Sequence, residues 1–128
     1  MACVLLLFSF ELFAQAITAT HALTFPSTVA GSISNITVST YDAGAASFTA
    51  NGLASTPFTK AIVESSIQMI HSTNAGQNIV VDTFILEGPS VFDLSGNATG
   101  LKVGATAHIT ASNVAGHYSG SGTFRIVY

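Results

Sequence analysis

The stretch GHYSGSGTFRIVY, residues 116–128, decides the fold class of this chain. Its large apolar residues fall on even-numbered positions, and mostly polar residues fill the odd positions between them. A period of two is typical of a β-strand with one buried face. The stretch therefore predicts a C-terminal strand, and we expect a structural motif made of Gly116, Tyr118, Gly120, Phe124, Ile126 and Tyr128.

Similar strand patterns recur toward the N-terminus, separated by turn residues. They cover residues 17–25, 33–40, 46–50, 58–63, 67–70, 78–86 and 99–109. Pro26 is expected to end the first of them, and the pair Asn51-Gly52 predicts a tight turn with positive φ. Residues 60–70 also fit one face of a helix, but their β-branched content favours strands. The pattern predicts an all-β fold, an immunoglobulin-like β-sandwich of about eight strands.

The last two strands allow two arrangements. In a hairpin, Leu101 would pair with Ile126 and Ala105 with Gly122, which matches large with large and small with small. The same hairpin would place Lys102 opposite Arg125, a repulsive pair. The alternative puts the two strands in different sheets that face each other across the core, and we favour it.

The composition restricts the class of partner. Only 7% of residues are charged, the formal net charge is −3, and the cations are Lys60, Lys102 and Arg125. Nucleic-acid binding needs clustered cations that neutralise phosphates, so nucleic acid is excluded as a partner. Few charges together with many small and β-branched residues favour a secreted or surface protein over a cytoplasmic enzyme.

Residues 1–16, MACVLLLFSFELFAQA, have the features of a signal peptide. An apolar run is followed by Ala14-Gln15-Ala16, a small-x-small cleavage pattern. No basic residue precedes the run, which a start codon placed too late would explain, and Glu11 interrupts it. Residues 17–128 would then form one mature domain without cysteine or a transmembrane segment, since Cys3 is removed and the run is too short to span a bilayer. The alternative is a buried N-terminal strand or helix.

The residues that could carry chemistry form no recognisable site. His21, His71, His108 and His117 lack the spacing of metal ligands, and no nucleophile elbow is present. We therefore predict no catalytic residue, no metal and no cofactor. Asp42 and Asp93 are interpreted as turn residues that bind nearby backbone. Asp82 lies within an apolar strand and is expected to face solvent or to pair with Lys60 or Lys102.

Four segments carry a resemblance to a known family. AGHYSG (115–120) followed by TFRIVY (123–128), LSGNAT (94–99), VGA (103–105) and ASFTANG (46–52) resemble a family of small secreted bacterial β proteins classed as a domain of unknown function. The likeness to spore coat protein U and to chaperone-usher fimbrial subunits is looser. The resemblance implies an exported immunoglobulin-like sandwich with a surface role. His117, and Ser121 with Gly122, depart from the family pattern.

Together these observations predict an exported, non-enzymatic structural or adhesive protein, fimbria-like or coat-like. It would be secreted, periplasmic or at the cell surface, with itself or other surface subunits as partners. The alternative is a carbohydrate- or protein-binding module of the cell envelope. We expect residues 17–25 to dock in the chain's own sheet, so that the mature chain is a self-sufficient monomer rather than a donor of this segment to a neighbour.

Overall fold

The computed structural model describes residues 2–12 and 16–127, and within these ranges the regular structure is β-strand without helix. The strands are β1 (Ala2–Leu12), β2 (Ala16–His21), β3 (Leu23–Thr28), β4 (Ser34–Val38), β5 (Ala46–Asn51), β6 (Thr59–Ile62), β7 (Ser66–His71), β8 (Asn78–Glu87), β9 (Asn97–Ile109) and β10 (His117–Val127). The all-β prediction is confirmed. Tyr128 lies outside the described residues.

The strands form one continuous sheet that curls around the core. Its order is β2-β5-β9-β8-β7-β10-β1-β3, with β4 also on β9 and β6 also on β10. Among the described strands, every pairing is antiparallel except that of β1 with β10. The sheet curls far enough for Phe48 of β5 to stack on Phe124 of β10, with ring centroids 4.4 Å apart and planes within 5°.

The core lies inside this curl and follows the predicted alternation. On β10, Tyr118, Phe124 and Ile126 are fully buried, while Ser119 and Ser121 are exposed. The largest fully buried side chains are Tyr118, Phe25, Phe48, Phe92, Phe124, Leu23, Met69, Ile79, Leu101 and Ile126. The period of two in the sequence therefore identified the buried face of the C-terminal strand correctly.

β9 and β10 belong to the same sheet but are not neighbours. β9 pairs with β4, β5 and β8, and β10 pairs with β1, β6 and β7. The hairpin alternative is therefore wrong, and Lys102 pairs in register with Ser47 and Glu87 instead of Arg125. The two strands lie in one sheet, which is continuous from β9 through β8 and β7 to β10, and its curl places β5, the neighbour of β9, against β10 across the core.

Two turn predictions are corrected. Asn51 belongs to β5, and Gly52 is not among the glycines with positive φ. A Cβ on Gly52 would lie 2.5 Å from the ring of Phe92, so the glycine provides space for an aromatic side chain. Pro26 does not end its strand, because β3 continues to Thr28. The register of β1 and β3 shifts between Ala2 and Val4, and such a bulge accommodates a residue without an N–H.

The segment 17–25 forms two strands rather than one. It divides at Ala22 into β2, which pairs with β5, and β3, which pairs with β1. Both parts lie in the sheet, as expected. Residues 60–70 also adopt the favoured strand conformation, in β6 and β7.

Candidate functional site

The most informative region of the fold is the position between β10 and β3, which β1 fills. β1 runs parallel to β10 over ten register pairs, from Cys3 with His117 to Leu12 with Ile126. On its other side β1 is antiparallel to β3 and pairs Val4 with Phe25. Among the strands of the described ranges, β1 is the partner that joins β3 to β10. We call this position the β3–β10 slot.

β1 lies within the predicted signal peptide. For residues 2–12 the structure has the strand that the sequence left open as an alternative. Pairing within the full chain does not test whether the segment is later removed, so cleavage after Ala16 stays a prediction.

The inner face of the slot is apolar on β3 and β10. Its walls are the buried side chains of Leu23 and Phe25 on β3 and of Tyr118, Phe124 and Ile126 on β10, each at most 1% exposed. Between these walls β10 has two glycines. The register places Leu6 beside Gly120 and Phe8 beside Gly122. An added Cβ on Gly120 would lie 2.9 Å from the Gln68 carbonyl oxygen, so this glycine makes room for the backbone of β7.

The outer face of the slot is polar. The register places Ser9 beside Thr123 and Glu11 beside Arg125. Glu11 is the residue that interrupts the apolar run of the predicted signal peptide.

The other edge of β10 is held by two short strands and a carboxylate. β7 pairs with Tyr118 and Ser119, and β6 pairs with residues 124–127. Between these strands Glu64 accepts hydrogen bonds from the Thr123 N–H at 2.8 Å and from the Thr123 hydroxyl at 2.9 Å. Partial burial raises the pKa of the Glu64 carboxyl, but the hydrogen bonds to the carboxylate outweigh it, so the pKa lies below its ordinary value.

The start of β10 is anchored around Tyr118. Its hydroxyl donates to the Val114 carbonyl at 2.8 Å, and its ring meets His71 edge-on at 5.0 Å. His71 Nε2 donates to the Ala115 carbonyl at 3.0 Å, and His71 Nδ1 accepts from the Thr73 N–H at 3.1 Å. A Cβ on Gly116, where φ is +149°, would overlap His71 Nε2. Gly116 therefore leaves the space that the imidazole occupies.

A second polar cluster lies on the outer surface of β4, β8 and β9. His108 Nε2 lies 2.6 Å from Asp82 Oδ1, and His108 Nδ1 lies 2.9 Å from Asn35 Oδ1. The hydrogen bond from His108 lowers the pKa of Asp82. The partner of Asp82 is thus His108 and not a lysine. Both ring nitrogens of His108 thus have side-chain partners.

The remaining predicted candidates occupy structural positions. Asp93 accepts from the Ser95 and Asn97 N–H groups at 2.8 and 2.9 Å, and Asp42 accepts from the Ser39 N–H at 2.8 Å, which confirms both as turn residues. No group of three or more potential metal ligands occurs in the part of the chain that was described. In that same part, no helix has the length and apolar character needed to cross a membrane.

A cavity of about 460 Å³ opens beside the outer edge of β3. It lies between β3, β4 and the β4–β5 connection, and its lining residues are His21, Thr24, Phe25, Pro26, Thr37, Val38, Asp42, Ala43 and Gly44. The volume is in the range of small-ligand sites, and an apolar lining with a few polar groups is typical of them.

Sequence reasoning missed the slot because it assigned residues 2–12 to a segment that is removed. One signal was present in FSFEL, residues 8–12, where apolar and polar residues alternate as they do in β10. Glu64 and the Asp82–His108 pair had no local signal, since each depends on partners far along the chain.

Comparison with known families identifies one match. The family model described as "Domain of unknown function (DUF4402)" matches residues 12–128, and the chain belongs to this family. The match begins at the last residue of β1. Comparisons with curated proteins and with solved structures found no match.

Proposed function

We propose that this member of the DUF4402 family is an exported, non-enzymatic structural or adhesive protein of the cell surface, fimbria-like or coat-like. Its curled sheet would be an immunoglobulin-like β-sandwich, and residues 1–16 would be the export signal. The match to the family covers residues 12–128 and gives no information about the role of the domain.

One observation carries the proposal: the polar side chains that could do chemistry hold the scaffold together. His108 with Asp82 and Asn35 connects three strands. Glu64 holds the centre of β10, and His71 holds the turn that precedes it. A domain that uses these groups to stabilise its sheet is suited to a mechanical or structural role.

Export is tested by fractionating cells that express the chain from its own gene. We expect the protein in the envelope or the medium, with a mature N-terminus at Ile17 in mass spectrometry. A matched variant with Leu6→Arg and Leu7→Arg, which breaks the apolar run, should stay in the cytoplasm with residues 1–16 attached. Full-length wild-type protein in the cytoplasm would overturn the proposal.

A second function is favoured by the cavity beside β3. Its 460 Å³ would accommodate a small ligand such as a sugar unit, which suits a carbohydrate-binding module of the envelope. A glycan array tests this alternative, with Ala43→Trp as the control that fills the cavity. Saturable binding that Ala43→Trp abolishes would support the module, whereas equal binding by both proteins would place recognition elsewhere.

A further inference from the structure

We propose that Tyr41, Ser47, Glu87 and Lys102 form a platform that binds a pyranose unit of a glycan. We call these residues the Tyr41 platform. It lies over the outer face of the sheet, where β5, β9 and β8 are neighbours, and not in the cavity beside β3. The inference goes beyond the proposed structural role and beyond the cavity, since it assigns recognition to another surface.

The first observation is the exposure of an aromatic ring. Tyr41 is 86% exposed, whereas the other Phe and Tyr side chains that the structure describes are buried or half-buried. Burial of an aromatic side chain is favourable, and a tyrosine combines a large apolar body with a polar tip. An exposed tyrosine ring is therefore suited to contact with a ligand, provided that it is held in one place.

The second observation is that the backbone at Tyr41 is fixed. The Ser39 N–H donates to the Asp42 carboxylate at 2.8 Å, and the Asp42 N–H donates to the Ser39 carbonyl at 3.1 Å, so Tyr41 lies within a closed turn. This turn begins on the outer side of β9. A Cβ added to Gly104 would overlap a carbonyl oxygen of residues 38–40, so this backbone occupies the place of a side chain there.

The third observation is that the tip of the ring is also held. The Glu87 carboxylate accepts a hydrogen bond from the Tyr41 hydroxyl, and this bond together with the negative charge of Glu87 raises the pKa of Tyr41. Tyr41 comes from the connection between β4 and β5, whereas Glu87 ends β8, so the side chain reaches across β9. A ring that is fixed at its backbone and at its hydroxyl is preorganised for binding.

Beside the ring, polar groups form a row across three strands. Glu87 is in register with Lys102, and Lys102 is in register with Ser47. Lys102 Nζ donates to Ser47 Oγ at 2.9 Å, which places both side chains on the outer face. Neighbouring strands lie about 4.8 Å apart, so the row is about 10 Å long, a length that suits a disaccharide.

The chemistry of the platform indicates a sugar. A carboxylate accepts and an ammonium donates several hydrogen bonds, so Glu87 and Lys102 have capacity beyond the contacts above. Adjacent sugar hydroxyls donate and accept, so a pair of them can bridge these two side chains. The C–H groups on one face of a pyranose ring can pack on the ring of Tyr41.

The apolar surface next to Tyr41 is small. Ile85 is in register with Gly104 and is 44% exposed, and the polar row borders it at Glu87 and Lys102. The core of a protein interface is larger, more apolar and depleted of charged residues. A ligand with C–H groups on one face and hydroxyls at its edge fits this arrangement better than a protein partner does.

The test uses the full chain on an array of glycans that end in β-linked glucose, galactose or N-acetylglucosamine. The glycan with the strongest signal is then titrated by calorimetry and studied by saturation-transfer NMR. We expect saturable binding, with most transfer to the C–H protons on one face of one pyranose ring.

Variants of the platform test which groups bind. Tyr41→Ala should weaken binding by about 10-fold or more, because it removes the ring. Tyr41→Phe keeps the ring but loses the bond to Glu87, and it should weaken binding by about 2- to 5-fold. Lys102→Met should weaken binding by about 10-fold. The matched control is Leu94→Ala, which removes an 89% exposed side chain from the β8–β9 connection and should leave binding unchanged.

The inference would be overturned if none of these glycans bound, if Tyr41→Ala bound as the wild type does, or if Leu94→Ala lost as much affinity as Tyr41→Ala. Binding that Ala43→Trp abolishes and Tyr41→Ala leaves unchanged would place the sugar in the cavity instead. Because these measurements do not depend on export, cytoplasmic location of the native protein would overturn the proposed function and leave the binding result intact.

Discussion

β9 and β10 are both long strands near the C-terminus, yet they are held in different ways. β9 lies between antiparallel partners, β4 and β5 on one side and β8 on the other, all from the middle of the chain. β10 has the short strands β6 and β7 on one side and the N-terminal β1 on the other. The difference shows that β9 is secured within the domain, whereas β10 depends on a segment from the opposite end of the sequence.

This dependence also affects folding. β1 and β10 pair across almost the full length of the chain, so their contact closes a very long loop. Non-local strand pairs of this kind form late and are exposed to competition from other chains.

The largest expected effect comes from deleting residues 2–12 from the full chain. We expect amide hydrogen exchange to speed up strongly in β10 and β3, while β9 keeps its protection, and we expect aggregation through the open edge. Hydrogen-exchange mass spectrometry at low protein concentration measures both strands in one sample. If β10 kept its protection, the inference that β10 depends on β1 more than β9 does would be wrong.

The next effect concerns the buried face of β10. Phe124→Ala should lower the free energy of unfolding by about 3–5 kcal/mol, because it empties a fully buried site and removes the stack on Phe48. Leu101→Ala on β9 should cost about 2–5 kcal/mol for the same reason. Denaturant melts measure both.

Two polar variants of β10 serve as controls for these melts. Ser121→Ala, on the exposed face, should stay within about 0.5 kcal/mol of the wild type. Thr123→Ala should cost more than Ser121→Ala, because the Thr123 hydroxyl binds Glu64. A loss at Ser121 that equals the loss at Phe124 would show that the faces of β10 are assigned incorrectly.

A smaller effect is expected at the entrance of β10. Gly116→Ala should destabilise the chain by about 2–3 kcal/mol, because the new Cβ meets His71 and the backbone is in a conformation that suits glycine. Gly31→Ala is the matched control, since φ is +89° there but nothing lies within 4 Å of the added atom. Its cost should be about 1–2 kcal/mol. Equal losses in thermal melts would mean that His71 moves aside at no cost.

The smallest effect is the pH dependence contributed by Glu64. Its folded-state pKa lies below the ordinary value of 4.5, so the stability it contributes is fully present above pH 4.5 and is lost as the pH falls through the lower folded value. Glu64→Gln should be less stable than the wild type at neutral pH, and the gap should narrow below pH 4.5. If the difference in free energy of unfolding between the wild type and Glu64→Gln stayed constant on acidification, Glu64 would stabilise the chain through packing alone.

The sequence predicted much of the fold because the signals were local. The alternation in residues 99–109 and 116–127 identified β9 and β10 and their buried faces, since a period of two requires no knowledge of partners. Strand order did not follow from it. Large and small residues matched between β9 and β10 in the hairpin register, yet the actual pairs do not follow that match, since Ala107 is in register with Ile36 and with Val81. Complementarity along two strands therefore does not establish that they are neighbours.

The candidate site was harder to predict because its parts are remote in sequence. Gly120 carried no indication that the backbone of β7, at the Gln68 carbonyl, would occupy the place of its side chain. The pair Asn51-Gly52 shows the opposite problem, since a strong turn signal there marks space for the ring of Phe92. In both cases a glycine was needed for the bulk of a distant neighbour, which local patterns do not contain.

The anchoring of Tyr118 has a practical consequence for spectroscopy. The chain has no tryptophan and three tyrosines. At wavelengths longer than those at which phenylalanine absorbs, its near-ultraviolet absorption therefore comes from tyrosine. Tyr118 is fully buried, with its ring against His71 and its hydroxyl bound, whereas Tyr41 is 86% exposed. Near-ultraviolet circular dichroism is sensitive to aromatic rings in fixed surroundings. The contribution of Tyr118 to the tyrosine band is therefore a built-in, label-free reporter of whether the start of β10 is in place.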